Sequence, residues 1–512
     1  MRKPVALGTG KHLLFDDALT EERRGFRPTM NPAIREPKPV LLPRRPWEAQ
    51  GISGDSSISV IQEDGLCKLW YTVRFDQPGK ANLRELRKRL PASVLAKFDH
   101  KTLADFLTRE RALLCYATSR DGKIWHKPEL GILAYAGSKA NNIVDLDRSG
   151  GTVFRDPVAA PDERYKVISR GGLRVPHLHA TADVPPRNIY QAVHGGYSAD
   201  GLHWRAYPDP VVPWYTDTTN VCYRDDRLRK YVAFVRWNEG MFYRDGKTFF
   251  TEPHGWKYRA IGRTESRNFR RFPPPTKILE PSPRERHPEP TGMDYYNSSA
   301  VKYPFAADAY FLFFSSFYHE PDTIDVHLAT SRDGIHYTPW REPFLGTGTP
   351  GSFDEKRVHM ATGMVRAGDE LYMYYAGYNS PHGAEAPRRS GAVGRVRLRL
   401  DGFVSQDAPW AGGTLTTVPL TFTGDRLHLN MDASAGGSLR VEVLGADRRP
   451  VAGWSGREAD TLWGNDLAKP VTWGGRCDIA SLRGKVVRLR FRGKGVKLYA
   501  FQFSDSKRQN SR

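Results

Sequence analysis

The sequence is poor in cysteine and has no long apolar run. Its 512 residues include four cysteines, none in a Cys-x-x-Cys pair, which excludes a disulfide framework and a zinc site built from thiolates. No stretch reaches the roughly 18 apolar residues that a membrane helix requires, so we expect no membrane span. The first ten residues lack the apolar region of a signal peptide, and we expect a secreted or periplasmic location only if a leader precedes this chain.

Motifs for cofactor chemistry are also missing. The sequence contains no P-loop, GxSxG, HExxH or dinucleotide-binding motif. His177 and His179 have the spacing of metal ligands, but no third ligand accompanies them. We therefore expect no catalytic metal and no cofactor, although a structural cation on a symmetry axis of the fold would be compatible with the pattern described below.

Acidic residues are in deficit, and the formal net charge is +20. Such a charge favours anionic partners. The basic residues are dispersed along the chain, and the one obvious run is the tail Lys507–Arg512, so we expect no nucleic-acid partner. Two interpretations stay open: the charge attracts an acidic glycan, or individual arginines hold neighbouring carboxylates ionised.

A turn motif recurs at intervals of roughly 70 residues. Full copies are Ser119-Arg-Asp-Gly-Lys-Ile-Trp125, Ser198-Ala-Asp-Gly-Leu-His-Trp204 and Ser331-Arg-Asp-Gly-Ile-His-Tyr337, with a degenerate copy at 264–269 and a last Asp-Gly at 401–402. Asp and Gly tolerate the positive φ of tight hairpins. The aromatic residue that follows is placed to pack between neighbouring sheets.

A second repeat precedes each of these turns. A polar hairpin leads into an aromatic-rich strand five times, at Leu69-Trp-Tyr, Tyr165-Lys-Val, Tyr231-Val-Ala-Phe, Tyr310-Phe-Leu-Phe-Phe and Leu371-Tyr-Met-Tyr-Tyr. Five such units predict an all-β chain with a five-bladed β-propeller over residues 51–405. Helical spacing of leucines over 81–111 predicts a helical insertion in the first unit.

The flanking regions have different patterns. Residues 406–512 alternate with period two between turns rich in Gly, Asp and Ser, which predicts a C-terminal β-sandwich. Residues 1–50 are rich in Pro and Arg, and we expect them to wrap the propeller.

An acidic residue stands near the predicted innermost strand of each unit. Four of these residues are our candidate catalytic carboxylates, namely Asp55, Asp156, Asp294 and Glu355, and Asp217 belongs to the same series. Equivalent positions of successive blades converge on one axis, and carboxylates that share a funnel repel one another and so differ in pKa. Glycoside hydrolysis needs a carboxylate pair of this kind. At any one position the alternative is an Asx-turn or a strand cap.

Polar residues next to these carboxylates are candidates for substrate binding. They are Arg155, Asp217, Asn220, Arg236, Asn297, Arg357 and His359. Amides can bind sugar hydroxyls, and guanidinium groups can bind sulfate, carboxylate or phosphate bidentately. Trp47, Trp70, Trp237, Tyr295 and Tyr378 could stack on sugar rings or pack between blades.

The segment Phe154-Arg155-Asp156-Pro157 resembles the second-blade motif of the invertase/fructosidase family, glycoside hydrolase family 32. The order of propeller and sandwich also resembles that family and its relatives in family 43, and is similar to a glycosyl-hydrolase-like subgroup of propeller proteins. The resemblance implies a transition-state role for Asp156 and a nucleophile or base role for Asp55. The first-blade Asn-Asp-Pro-Asn and the third-blade Glu-Cys of family 32 are absent here.

The sequence therefore predicts a glycoside hydrolase that acts on a poly- or oligosaccharide at the propeller funnel. Glu355 is the first candidate for the general acid, because Glu has the longer reach, and Asp294 is the second. Two alternatives stay open: a propeller that binds carbohydrate without catalysis, and a glycoside phosphorylase or transferase in which Arg155, Arg236 and Arg357 hold phosphate.

Overall fold

The computed structural model describes most of the chain. The described residues are 3–49, 51–53, 57–75, 111–146, 151–170, 192–216, 218–244, 247–250, 258–286, 292–384 and 391–506. The predicted helical insertion 81–111 lies outside them, apart from Arg111. His177 and His179 also lie outside them.

Strands dominate the described part of the chain, so the prediction of an all-β protein is confirmed. Five short strands come first: β1 (Val5–Leu7), β2 (Lys11–Leu13), β3 (Thr20–Arg24), β4 (Arg27–Met30) and β5 (Ile34–Arg35). Single 3-10 turns occur at Pro46–Glu48, Pro161–Glu163, Gly456–Glu458 and Ala480–Leu482, and the helix α1 spans Pro283–Arg286.

Three antiparallel sheets of four strands follow, each in chain order. The first contains β6 (Ile58–Glu63), β7 (Leu66–Phe75), β8 (Arg111–Ser119) and β9 (Ile143–Leu146). The second contains β10 (Thr152–Arg155), β11 (Tyr165–Arg170), β12 (Val193–Ser198) and β13 (Arg205–Val212). The third contains β14 (Val221–Asp225), β15 (Lys230–Asn238), β18 (Arg259–Ser266) and β19 (Thr276–Leu279), with the hairpin β16 (Met241–Arg244) and β17 (Lys247–Phe250) between its second and third strands.

Two further groups share one larger sheet. The fourth contains β20 (Met293–Lys302), β21 (Tyr310–Tyr318), β22 (Thr323–Ser331) and β23 (Thr338–Leu345). The fifth contains β24 (Arg357–Met360), β25 (Val365–Ala367), β26 (Glu370–Tyr378) and β27 (Gly391–Arg399), and β5 pairs with β27 at its outer edge. A single parallel pairing of Ile324 with Arg357 joins the two groups.

The first strands of the five groups contact one another in cyclic order. β6 contacts β10, β10 contacts β14, β14 contacts β20, β20 contacts β24, and the fifth group contacts β6 again. Apolar clusters fill the spaces between consecutive groups; Val221, Phe234, Leu312 and Phe314, for example, belong to one cluster between the third and fourth. Burial of the aromatic-rich second strands against their neighbours therefore drives the association of these sheets.

The remaining strands form two six-stranded sheets that share one apolar cluster. Their own strands are β28 (Val404–Ala408), β29 (Gly413–Thr417), β30 (Leu420–Phe422), β31 (Arg426–Asp432), β32 (Ser438–Gly445), β33 (Asn465–Pro470), β34 (Val487–Lys494) and β35 (Val496–Ser504). One sheet has the order β1-β30-β34-β29-β3, with β32 beside β34, and the other has the order β33-β31-β35-β28-β4, with β2 beside β35.

The N-terminal segment contacts both the repeat region and the C-terminal sheets. Strand β5 pairs with β27, and Leu41 forms a bridge with Val393 of the same strand, whereas β1 to β4 complete the two C-terminal sheets. The strands β1 to β5 are two to five residues long, too short for alternation to reveal a partner, so long-range pairing decides their place.

Candidate functional site

Polar side chains from three consecutive groups meet near the starts of β20 and β24. We call them the Arg–His cluster, which consists of Arg236, Arg259, Asp294, Tyr296, Asn297, His319, Arg357, His359, Tyr378 and His382. Six of these are candidates from the sequence: Arg236, Asp294, Asn297, Arg357 and His359 as site residues, and Tyr378 as a stacking residue.

A β-bulge in β20 arranges the residues of the fourth group. The pairing with β21 shifts register between Tyr295 and Ser298, so one extra residue enters β20. Side chains of a regular strand alternate between faces, and a bulge re-aims them. Asp294, Tyr296 and Asn297 thereby all contact members of the cluster, although their numbers have mixed parity.

Asp294 is a buried carboxylate held by cationic partners. Its Oδ1 accepts the backbone N–H of Arg259 at 3.0 Å, and its Oδ2 lies 2.6 Å from Arg259 Nη1 and 3.2 Å from His319 Nε2. Burial acts to raise the pKa of Asp294, but the hydrogen bond from His319 and the charge of Arg259 outweigh it, and the pKa lies below its usual value. Asp294 is therefore ionised at neutral pH, a state that favours an electrostatic role over proton donation.

Arg236 and Arg357 are buried guanidinium groups that lie on aromatic rings. Arg236 Cζ lies 4.0 Å from the centroid of the Tyr296 ring, and its Nε and Nη2 donate to the Tyr296 carbonyl at 3.3 and 3.2 Å. Arg357 Cζ lies 4.1 Å from the Tyr378 ring, and its Nε donates to the Ser380 carbonyl at 2.8 Å. Arg357 makes no ion pair among the described residues. A buried guanidinium without a carboxylate partner suits the binding of an anion.

His359 belongs to a hydrogen-bonded chain across the groups. The Thr218 hydroxyl donates to Asn297 Oδ1, which turns the Asn297 amide nitrogen toward His359 Nδ1 at 3.3 Å. Ser315 Oγ lies 3.2 Å from the same Nδ1. This network assigns Nδ1 as the acceptor and places the proton of the neutral imidazole on Nε2.

Tyr296 contacts the third histidine of the cluster, His382. Its hydroxyl lies 2.8 Å from His382 Nε2, and His382 Nδ1 lies 3.9 Å from Asp322 Oδ1. The Arg–His cluster as defined thus contains three arginines, three histidines and one carboxylate, and this composition favours anionic ligands electrostatically.

The other sequence candidates lie elsewhere. Asp156 follows β10 at its hairpin end, away from the strand starts, where its Oδ2 accepts the Tyr231 hydroxyl at 2.7 Å. Arg155 is half-exposed and pairs with Glu63 at 2.5 Å. Glu355 accepts the Gly351 N–H at 2.5 Å in the preceding turn, so it caps that turn. Of these three, none contacts the Arg–His cluster.

Asn220 supports the cluster indirectly. It is fully buried, its side-chain amide donates to the Thr218 carbonyl at 3.0 Å, and its backbone carbonyl accepts the Thr152 hydroxyl at 2.9 Å. It therefore shapes the turn that carries Thr218. Asp55 and Asp217 lie outside the described residues.

The aromatic candidates are mostly buried in the fold. Trp47, Trp70, Tyr295 and Tyr378 are each less than a tenth exposed. Trp237 is partly exposed and stacks on Trp214 with centroids 5.0 Å apart. Of the five, Tyr378 alone is a member of the Arg–His cluster, where Arg357 lies on its ring.

Several members of the cluster were not expected from the sequence. Arg259, His319 and His382 lie on or just after second and third strands, where no repeat marks them. The pairing of β20 with β21, which places Tyr318 opposite Met293, brings His319 to Asp294. Only knowledge of this register could have identified His319.

Among the described residues, no group of three or more His, Cys, Asp or Glu side chains could hold a metal ion. The described residues also contain no helix that is long and apolar enough to cross a membrane.

Comparison with known proteins gives distant structural likenesses. No protein-family model and no curated protein sequence matches the chain. An N-acetylgalactosamine deacetylase from F. plautii is 12% identical with a TM-score of 0.44, over 73% of this chain and 96% of that one. A β-1,2-mannobiose phosphorylase from Listeria innocua is 13% identical with a TM-score of 0.43, over 72% and 97%. A family 43 arabinoxylan arabinofuranohydrolase from Bacillus subtilis is 11% identical with a TM-score of 0.38, over 90% and 97%. Likenesses of this degree do not establish a family or an activity.

Proposed function

We propose that the five groups of strands are the blades of a five-bladed β-propeller, that the two six-stranded sheets form a β-sandwich, and that the protein is a glycoside hydrolase. The cyclic contacts of the first strands and the apolar clusters between consecutive groups support the propeller. The apolar cluster shared by the six-stranded sheets supports the sandwich.

One observation carries the functional proposal. An ionised carboxylate, Asp294, lies in one cluster with Asn297, His359 and the buried Arg236 and Arg357, near the starts of β20 and β24, where three groups meet. Cleavage of a glycosidic bond develops positive charge on the sugar ring, and a fixed carboxylate stabilises that charge. We assign this stabilising role to Asp294. Asp55, which precedes β6, stays our proposed base or nucleophile.

Arg357 indicates what the substrate carries. We propose that this buried guanidinium, which makes no ion pair among the described residues, binds an anionic group, such as a uronate or sulfate on the glycan. The same observation favours a second candidate function, a glycoside phosphorylase, in which the anion is phosphate and its oxygen replaces water in the attack on the anomeric carbon.

A product assay separates these functions. The full chain is incubated with neutral and uronate-containing oligosaccharides, with and without inorganic phosphate, and the products are resolved by mass spectrometry. A hydrolase releases free sugar in both conditions, whereas a phosphorylase releases a sugar phosphate only when phosphate is present. Turnover of no oligosaccharide in either condition would favour a binding protein and contradict the proposal.

Substitution of Asp294 tests the assignment of the site. We expect Asp294→Asn to lower kcat about 100-fold or more, because the neutral amide no longer stabilises the developing charge. Asp156→Asn is the matched control, since it neutralises a buried Asp that the structure places outside the cluster. Its folded fraction, measured by circular dichroism, should retain activity. A larger loss in Asp156→Asn than in Asp294→Asn would restore the role implied by the family resemblance.

A further inference from the structure

The outer face of one six-stranded sheet has an excess of positive charge. In the pairing of β32 with β34, Ser438 lies opposite Lys494 and Arg440 lies opposite Arg492. These side chains share the solvent face of the sheet, because Leu439 and Phe491, which alternate with them along the two strands, are fully buried. Like charges directly opposite each other destabilise a sheet, so this arrangement costs stability.

Compensation of these charges is incomplete. Arg492 pairs with Glu442 at 2.8 Å. Arg440 donates to the Thr461 hydroxyl at 2.7 Å, and the carboxylate of Asp460 interacts with Arg440 electrostatically without a direct ion pair. Neither Arg440 nor Lys494 has a carboxylate partner in direct contact among the described residues, so both can pair with an external anion.

Trp410 lies beside these cations as a flat, exposed platform. Its side chain is 68% exposed. A Cβ built on Gly495 would lie 3.0 Å from each of three consecutive atoms of the six-membered ring, Cδ2, Cε2 and Cζ2. Equal distances to three consecutive atoms place that point above the ring centre, so the backbone of Gly495 covers one face of the indole. The opposite face is open to solvent, and it is already oriented for stacking.

A second exposed tryptophan, Trp463, lies near the turn 434–437, which Trp410 contacts. Trp463 is 59% exposed. Its neighbours Leu462 and Gly464 hydrogen-bond to Leu439 and Ala433, which flank the turn 434–437. Trp410 contacts Gly436 in that turn. We call Trp410, Trp463, Arg440, Arg492 and Lys494 the Trp–Arg surface.

We propose that the Trp–Arg surface binds an acidic polysaccharide, with Trp410 stacked on a sugar ring and with Arg440 and Lys494 paired with uronate or sulfate groups. Isolated indoles among charged side chains differ from the contiguous apolar patch that marks a protein interface. Charge complementarity selects an anionic chain, and the flat aromatic face matches the apolar face of a pyranose ring. This surface is separate from the Arg–His cluster, and its binding does not depend on turnover there.

Affinity electrophoresis of the full chain tests the proposal. Gels contain dextran, dextran sulfate or polygalacturonate, which separates sulfate from uronate recognition and both from a neutral glycan. We expect retardation in at least one acidic polymer and none in dextran, and a retardation that weakens as salt shortens the range of charge attraction. Absence of retardation in both acidic polymers would overturn the proposal.

Two matched variants distinguish a built site from the general effect of a basic protein. Arg440→Gln/Lys494→Gln should weaken binding about tenfold, an effect typical of losing two charge-assisted contacts. Arg457→Gln/Lys485→Gln removes the same charge from exposed positions outside the surface and should change binding little. Equal losses in the two variants would show that net charge alone attracts the polymer.

The indole has its own test, because its removal leaves the charge unchanged. We expect Trp410→Ala to weaken binding about tenfold and Trp463→Ala to weaken it less. Unchanged binding in Trp410→Ala would contradict the stacking role. Stronger competition by single-stranded oligo(dT) than by the polysaccharide would assign the surface to nucleic acid instead. Asp294→Asn should bind the polymer like the wild type, so failure of the catalytic proposal is distinguishable from failure of this one.

Discussion

A carboxylate near the hairpin end of a first strand accepts a tyrosine hydroxyl from the next group three times. Tyr165 donates to Glu63, Tyr231 donates to Asp156 at 2.7 Å, and Tyr310 donates to Asp225 at 2.8 Å. Burial and the adjacent carboxylate raise the pKa of Tyr231 and of Tyr310. The recurrence identifies Asp156 as a member of a structural series that fastens consecutive groups. Its Phe-Arg-Asp-Pro context alone favours a catalytic role.

His327 predicts a pH dependence of stability at the residue scale. Its Nε2 lies 3.1 Å from Asp325 Oδ1, and its Nδ1 lies 3.2 Å from the Trp340 carbonyl. Burial acts to lower the pKa of His327, but the Asp325 carboxylate outweighs it, and the pKa lies above its usual value. A raised pKa contributes stability that is complete below the unfolded value, about 6.5, and is lost as the pH rises through the folded value.

We therefore expect Asp325→Asn to destabilise the protein more in acid than in base. The loss should be about 1–3 kcal/mol near pH 5.5 and smaller near pH 9, because the wild-type pair has lost its charge attraction there. Urea unfolding at the two pH values measures the difference. Equal losses at both values would show that the imidazolium contributes nothing.

At the scale of elements, the three full turn motifs have one geometry. In each, the Ser hydroxyl oxygen accepts the Gly N–H at 2.9 Å, and the Asp Oδ1 accepts two further N–H groups at 2.8–2.9 Å. The first and second turns also dock on the preceding group around the ring, since Tyr374 donates to the Gly122 carbonyl and Trp70 donates to the Gly201 carbonyl. The aromatic residues also pack between groups as expected: Trp125 meets Tyr374 at 5.4 Å and Tyr337 meets Phe234 at 6.1 Å.

Two glycines in different turns allow the cost of backbone strain to be measured separately from the cost of a steric clash. Gly201 has φ +78°, and a Cβ there would lie 2.7 Å from Trp70 Cζ2; Gly65 has φ +73° and open space around it. We expect Gly65→Ala to cost about 1 kcal/mol for the left-handed conformation. Gly201→Ala should cost that amount and about 1–3 kcal/mol more, because the methyl group strikes the indole.

Denaturant midpoints of the two variants provide the comparison. A similar shift in both would mean that the turn moves away from Trp70 at little cost, and that the contact does not fasten the first group to the second.

At the scale of the whole molecule, the N-terminal strands pair with two different regions of the chain. Strand β5 completes the fifth group, and β1 to β4 complete the two C-terminal sheets. Lys11 also pairs at 2.6 Å with the buried Asp401, which in turn accepts the Tyr303 hydroxyl at 2.8 Å. Since the N-terminal residues take part in both regions, their pairing links the stability of one to the other.

This topology predicts how fragments behave. We expect the isolated chain 404–506 to be largely unfolded, because four strands of its sheets are missing and their edges and core are exposed. Joining residues 3–31 to 404–506 through a flexible linker should restore the fold. Circular dichroism and amide dispersion in NMR spectra report the result. A folded, monomeric 404–506 fragment would contradict the prediction.

Local patterns in the sequence determined the fold class, the recurrence of five units and the chemistry of their turns, because these depend on residues only a few positions apart. They also brought Asp294 and Asn297 into one candidate segment. The structure alone decided which candidates meet. Whether a carboxylate lies at the start or at the hairpin end of a strand depends on register, which is set by packing against distant strands. Contacts between residues far apart in the chain cannot be predicted from local patterns. Examples are the bulge in β20, the contacts of Arg259 and His319 with Asp294, the pairing of β1 to β4, and the packing of Gly495 on Trp410.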